Sequence, residues 1–130
     1  MGDYPRSFDH MLAAWNELDP ARIRGHLDQA LAPEVRFIDP SIETRGVDAF
    51  EANVRDFRAK YPDARCSRAS AVDSHHRLHR YAWEIHRGDE LFLPGFDVVE
   101  TDEKGRVIRV EGFFGPLLPA SSSQGRGTSL

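Results

Sequence analysis

Apart from one short alternating stretch, the apolar residues of this chain change their spacing once, near Arg65, and that change restricts the accessible folds more than any other feature. Before it they recur every three or four residues: Phe8, Met11, Leu12, Trp15 and Leu18 form one stripe, and Ile23, Leu27, Ala30 and Leu31 a second. Phe50, Val54, Phe57 and Tyr61 form a third. After Arg65 the period is two, the spacing of strands with one buried face. Helices first and strands afterwards exclude a parallel fold built from alternating units and predict an α+β architecture.

Punctuation refines this. The first helix is expected to end near Leu18; Asp19-Pro20 then offers a capping carboxylate and a proline at the first helical position. So brief a connection makes the first two helices antiparallel neighbours. Glu34 to Asp39 alternates, with Val35 and Phe37 on the side of Asp39, and Pro40 stops this short strand. Gly46 precedes the third helix, which carries Asp48 and Glu51 near its start, Arg55, Arg58 and Lys60 near its end, and Pro62 as its stop. Turn signals at Ser74-His75-His76, Arg87-Gly88-Asp89 and Asp102 to Gly105 divide the remainder into about four strands. The expected fold is α+β, with the helices packed on one face of a curved antiparallel sheet. A chain of 130 residues supports one such core. Residues 7–116 are expected to form that domain and 117–130 a mobile tail, since the stretch from Ala120 has almost nothing to bury.

Charge removes several partners. With 17 Lys and Arg against 21 Asp and Glu, and no long basic run, the chain lacks the electrostatic footprint of a nucleic-acid binder. It has no apolar run near the roughly 20 residues of a membrane span, and Met1 to His10 does not resemble a secretion signal, so a cytoplasmic location is expected. Cys66, the one cysteine, can form no intramolecular disulfide and reads as a small buried or edge residue. No phosphate-binding glycine loop or nucleophile elbow is present. His75, His76 and His79 do not make a metal site by strand geometry, because neighbours point to opposite faces, and His26 reads as a core-edge histidine. No metal and no cofactor is expected.

Two carboxylates stand out, because burial raises a carboxyl pKa and turns an ordinary anion into a usable acid or base. Asp97 interrupts the apolar run Phe96-Asp97-Val98-Val99, and Asp39 shares the parity of Val35 and Phe37. Their bland alternatives are an exposed or salt-bridged strand residue, with Arg45 a candidate partner for Asp97, and a turn residue before proline. On the strand from Leu78, the face carrying His79, Tyr81, Trp83 and Ile85 is expected to point inward, and Tyr81 needs a partner for its hydroxyl. Val110, Gly112 and Phe114 share one parity on the last strand.

These elements, with Val35-Arg36-Phe37-Ile38-Asp39-Pro40 and Phe96-Asp97-Val98-Val99 running to Gly105-Arg106-Val107, resemble the nuclear transport factor 2-like superfamily. Within it the resemblance is to the SnoaL-like and ketosteroid isomerase-related domains. It implies the cystatin-like cone and places Asp39 where the isomerases carry a general-base aspartate, and Asp97 where they present a protonated aspartic acid to an oxyanion. In those isomerases an apolar site keeps the second carboxylic acid neutral, so that it can donate a hydrogen bond. The isomerases' oxyanion-hole tyrosine would fall at or beside Met11, which donates no hydrogen bond. The implied activity is cofactor-independent acid–base chemistry by Asp39 and Asp97 on a hydrophobic carbonyl compound, of isomerase or polyketide cyclase type. Met11, Trp15, Phe57, Tyr81, Trp83, Val99, Val110 and Phe114 would contact that ligand. The alternative is a non-catalytic dimeric module that binds an apolar ligand in the same cone. Unbroken alternation puts Phe92, Phe96, Val98 and Phe113 on the outer sheet face, through which a homodimer is expected, unless Pro94-Gly95 inserts a bulge.

Overall fold

The computed structural model describes residues 4–122. Three helices, α1 (Ser7–Asn16), α2 (Pro20–Ala30) and α3 (Val47–Lys60), pack on one face of a curved sheet. Its strands are β1 (Leu31–Asp39), β2 (Ile42–Arg45), β3 (Ala64–Arg68), β4 (Asp73–His75), β5 (Leu78–Arg87), β6 (Glu90–Thr101) and β7 (Val107–Phe114). The order is β2-β1-β7-β6-β5-β3, with β4 also paired to β5. Every pairing is antiparallel except β1 with β7, which is parallel. This is the expected α+β architecture, a mixed and unclosed curved sheet under three helices. Among the described residues, no helix is long and apolar enough to cross a membrane.

The helical stripes enter the core as their spacing dictates. Phe8, Met11, Ala14, Ile23, Leu27, Phe50 and Val54 pack against Val35, Phe37, Val99, Val107 and Val110 of the sheet. Asp19 caps α2 by accepting from the Ala21 amide at 3.0 Å, with Pro20 at the first position. Arg58 is only 7% exposed and is held by three carbonyls instead of a carboxylate: Trp15 at 3.1 Å, Pro62 at 3.0 Å and Ala64 at 2.8 Å. One buried side chain thus ties the ends of α1 and α3 to the start of β3.

Several boundaries differ from those expected of the sequence. The first helix stops at Asn16, leaving Leu18 73% exposed, and Leu31 opens β1 directly instead of closing α2. Asn16 leaves the helix to grip β3, its amide donating to the Cys66 carbonyl and accepting from the Cys66 N–H, both at 2.8 Å. Ile42–Arg45, which has little apolar alternation, folds back on β1 as an edge strand. Five strands follow α3 instead of four, because Asp73–His75 forms β4 and the turn falls at His76-Arg77. The bulge lies at Phe92 and not at Pro94-Gly95: Ile85 pairs with Leu93 and His86 with Leu91, which leaves Phe92 over, while Pro94 and Gly95 stay in register with Glu84 and Trp83. Phe92 therefore leaves the outer face and meets Tyr61 at 4.9 Å between ring centroids. Phe96 and Phe113 do share the outer face, stacked at 4.9 Å. Of the expected tail, residues 117–122 carry exposed Leu117 and Leu118 and a short 3-10 turn, and the rest lies outside the described residues.

Candidate active site

The concave face encloses a cavity of about 440 Å³, inside the roughly 300–1,000 Å³ range of small-ligand sites. Helix α1 contributes Met11 and Trp15 to its wall, α3 contributes Asn53, Phe57 and Lys60, and β5 contributes Tyr81, Trp83 and Ile85. From β7 come Val110, Gly112 and Phe114. Asp39 and Asp97 both line it.

The register explains how the carboxylates meet the same space. Asp97 of β6 pairs with Gly112 of β7, and β1 runs alongside β7 with Ile38 opposite Glu111, so Asp39 flanks Gly112 from the other side. The two aspartates thus stand two strands apart, on the order of 10 Å between their backbones. A Cβ on Gly112 would lie 3.0 Å from Asp97 Oδ1 and 3.4 Å from Asp39 Cβ. Glycine here leaves open the floor between the two acids. Tyr81 of β5 pairs with Asp97 on its far side and completes the row.

Asp97 lies deep in the protein yet opens to the cavity. Burial pushes its carboxyl up to about 7, and the charge of Asp39 adds to the rise, while hydrogen bonds from Trp83 and Tyr81 oppose it. Trp83 Nε1 donates to Asp97 Oδ1 at 2.9 Å. An indole N–H only donates, so Oδ1 must accept, and in the acid form the proton sits on Oδ2. Tyr81 is held well above the ordinary phenol value, by burial first and then by the neighbouring Asp97 carboxyl. Asp39 is fixed differently: its Oδ1 accepts from the Ser41 N–H at 2.8 Å, the Ser41 hydroxyl at 2.7 Å and the Ile42 N–H at 3.1 Å. These contacts orient the carboxylate and leave Oδ2 without any of them.

One expected ligand contact is misplaced. Val99 is fully buried between His79 and Val110 and forms part of the core, not the cavity wall. Arg45 is exposed and is not the partner of Asp97. Cys66 lines the cavity, with its thiol pushed up to about 11 by burial. The histidines are occupied elsewhere. His26 Nε2 meets Glu17 Oε1 at 2.7 Å, and His79 lies between the Ser74 hydroxyl at 2.7 Å and that of Thr101 at 3.1 Å. Among the wall residues that sequence reasoning missed are Ser41, Asn53, Lys60 and Phe92. Asn53 and Lys60 share a helical stripe with Phe57, a spacing that reveals them once Phe57 is placed in the wall; Phe92 is hidden by the bulge.

Fold and cavity together define a protein of the nuclear transport factor 2-like class. A family model of the SnoaL-like domain matches residues 8–110, and the chain belongs to that family. A SnoaL-like protein of Agrobacterium tumefaciens str. C58, provisionally described as an isomerase, is similar at 32% identity and a TM-score of 0.79, over 85% of this chain and 95% of that one. A protein of unknown function with a cystatin-like fold from Methylobium petroleophilum PM1 shares the architecture, with 16% identity, coverage of 92% and 80%, and a TM-score of 0.69. So does a SnoaL-like protein from Jannaschia sp. CCS1, provisionally described as a polyketide cyclase, with 13% identity, coverage of 84% and 85%, and a TM-score of 0.64. No curated protein matches the sequence.

Proposed function

We propose that this chain is a cofactor-independent enzyme of isomerase or cyclase type acting on a hydrophobic, ring-containing carbonyl compound. The observation that carries the reading is Asp97, a carboxyl brought to about 7 at the floor of an aromatic cavity, with Asp39 across Gly112. Asp39 Oδ2 takes the proton from the carbon next to the carbonyl. The C–H electron pair moves into the new C=C bond and the carbonyl pair onto oxygen, where Asp97 Oδ2–H donates a hydrogen bond to the enolate. Return of the proton from Asp39 to another carbon isomerises the substrate; attack of the enolate carbon on a second carbonyl within the molecule cyclises it, and the alkoxide so formed takes the proton back from Asp39. A donor in this position contributes about 3–4 kcal/mol to the transition state.

A second assignment of roles is favoured by one observation. Asp39 Oδ1 is already occupied by three hydrogen bonds, and a carboxyl poised near 7 is itself suited to be the base. Deuterium exchange into a panel of enolisable aryl ketones separates the two. With Asp39 as base, Asp39→Asn abolishes exchange, and Asp97→Asn, whose amide still donates, retains a substantial part. With Asp97 as base, Asp97→Asn is the inactive variant and the rate rises with pH through about 7 instead of falling. Absence of exchange across the panel, with ligand binding intact, leaves the non-catalytic binding module. The stacked Phe96 and Phe113, with Phe113 51% exposed, support a homodimer through the outer sheet face. Sedimentation of Phe113→Glu would then show monomer.

A further inference from the structure

The cavity is chemically different at its two ends. The inner end holds Asp97, and Asp39 stands beside it next to the exposed wall residue Ser41. At the mouth stand exposed wall residues, Lys60 at the end of α3 and the aromatic ring of Phe92, which is 42% exposed. Lysine is scarce in this chain, occurring only at positions 60 and 104, against fifteen arginines. Two cations line the wall. Arg68 is committed, bonded to the Tyr4 hydroxyl at 2.6 Å and to Asp9 at 2.8 Å. Among the described residues no carboxylate pairs with Lys60. Arg87, close by over the rings of Tyr61 and Phe92, is already neutralised by Asp63 at 3.1 Å.

Strand geometry separates the lysine from the acids. It precedes Tyr61, whose ring touches Phe92, and Phe92 is five residues before Asp97 on β6. That is roughly 15 Å of strand, shortened by the bulge and by the length of the lysine stem. The space between is walled by Phe57, Trp83, Ile85 and Leu93.

We infer that the cavity selects an anionic substrate: an elongated apolar ring system with a carbonyl at one end, held by the aspartates, and a carboxylate at the other, paired with Lys60 at the mouth. The inference rests on the proposed use of the cavity, but its test does not require turnover. An anion at the mouth keeps clear of Asp97, whose ionisation would repel a charge at the inner end. The lysine is exposed, so its contribution is that of a solvent-accessible ion pair, at most about fivefold in affinity.

Both tryptophans, Trp15 and Trp83, line the cavity, so intrinsic fluorescence reads occupancy directly. The probes are 4′-acetylbiphenyl-4-carboxylate, in which an enolisable ketone and a carboxylate sit at opposite ends of a rigid body, and its neutral methyl ester. Titrations at pH 6 compare the acid-to-ester affinity ratio in the unsubstituted protein, in Lys60→Met and in Lys104→Met. The ratio is expected to drop by about two- to fivefold in Lys60→Met and to stay unchanged in Lys104→Met, which loses the same net charge away from the cavity. An equal drop in both variants, no drop in either, or no binding of either compound overturns the inference. If the drop appears without deuterium exchange into the acetyl group, the substrate class stands and the catalytic reading fails.

Discussion

Replacing Asp97 by asparagine tests whether its carboxyl is as strongly perturbed as its position implies, through stability alone. The group has an ordinary value of 3.8 and is raised to about 7 in the folded protein. Folding therefore holds a proton that the unfolded chain releases, and the stability from this linkage is present below 3.8 and lost as pH rises through about 7. At about 1.4 kcal/mol per unit, the complete loss is on the order of 4 kcal/mol, and between pH 5 and pH 8 about 2.5 kcal/mol of it is realised. The side-chain amide of Asp97→Asn keeps an oxygen acceptor for Trp83 and does not titrate. Urea unfolding followed by tryptophan fluorescence at several pH values gives the difference between this variant and the unsubstituted protein. Other groups titrate alike in both proteins and cancel. The variant is expected to gain about 2.5 kcal/mol on its parent from pH 5 to pH 8. A difference constant within about 0.5 kcal/mol over that range would refute a buried, near-neutral Asp97, and with it the donor role.

Two further perturbations probe the surroundings of that carboxyl, and a third probes a histidine buried in the core. Trp83→Phe removes a hydrogen bond that favours the ionised form, so the alkaline limb of the exchange–pH profile should move up by roughly one unit; an unmoved limb would mean that Trp83 does not tune Asp97. Gly112→Ala puts a methyl group 3.0 Å from Asp97 Oδ1, and deuterium exchange should fall tenfold or more while the fold persists by circular dichroism. Unchanged exchange would show that the two aspartates do not need the open floor. Burial lowers the pKa of His79, so its contribution to stability is present above the unfolded value of 6.5 and declines as pH falls from there through the folded value. Unfolding of His79→Gln measured at pH 5 and 7.5 should lack this acid-side loss, and parallel curves for variant and parent would contradict it.

The helix-then-strand order was legible because it rests on periodicity, which side-chain burial enforces over many residues. The parity of Asp39 and Asp97 was legible for the same reason: a carboxylate in phase with buried valines and phenylalanines must face what they face. Relations between distant strands were not. Nothing local to Gly112 says that it separates two acids, one of them from a strand that lies far earlier in the chain. Trp83 reaches Asp97 diagonally across β5 and β6, a contact that depends on register. Simple alternation puts Phe92 on the wrong face, because it holds only while each residue has a partner, and a single unpaired residue reverses it. Val99 shows the reverse limit: its parity is that of Asp97, but parity does not say how far along a strand a cavity extends.

The parallel pairing of β1 with β7 also bears on how the protein comes to be made. Asp39 and Asp97 share a floor only when the last strand slides between their own strands, and that strand is synthesised after both. A nascent chain that has yet to expose Val107–Phe114 has both acids and no site. Closing so large a loop is slow relative to forming the helices, so the chain acquires its helices well before its cavity. Premature termination before Gly112 would leave a stub without the cavity floor, and in refolding, ligand binding should appear with the last kinetic phase.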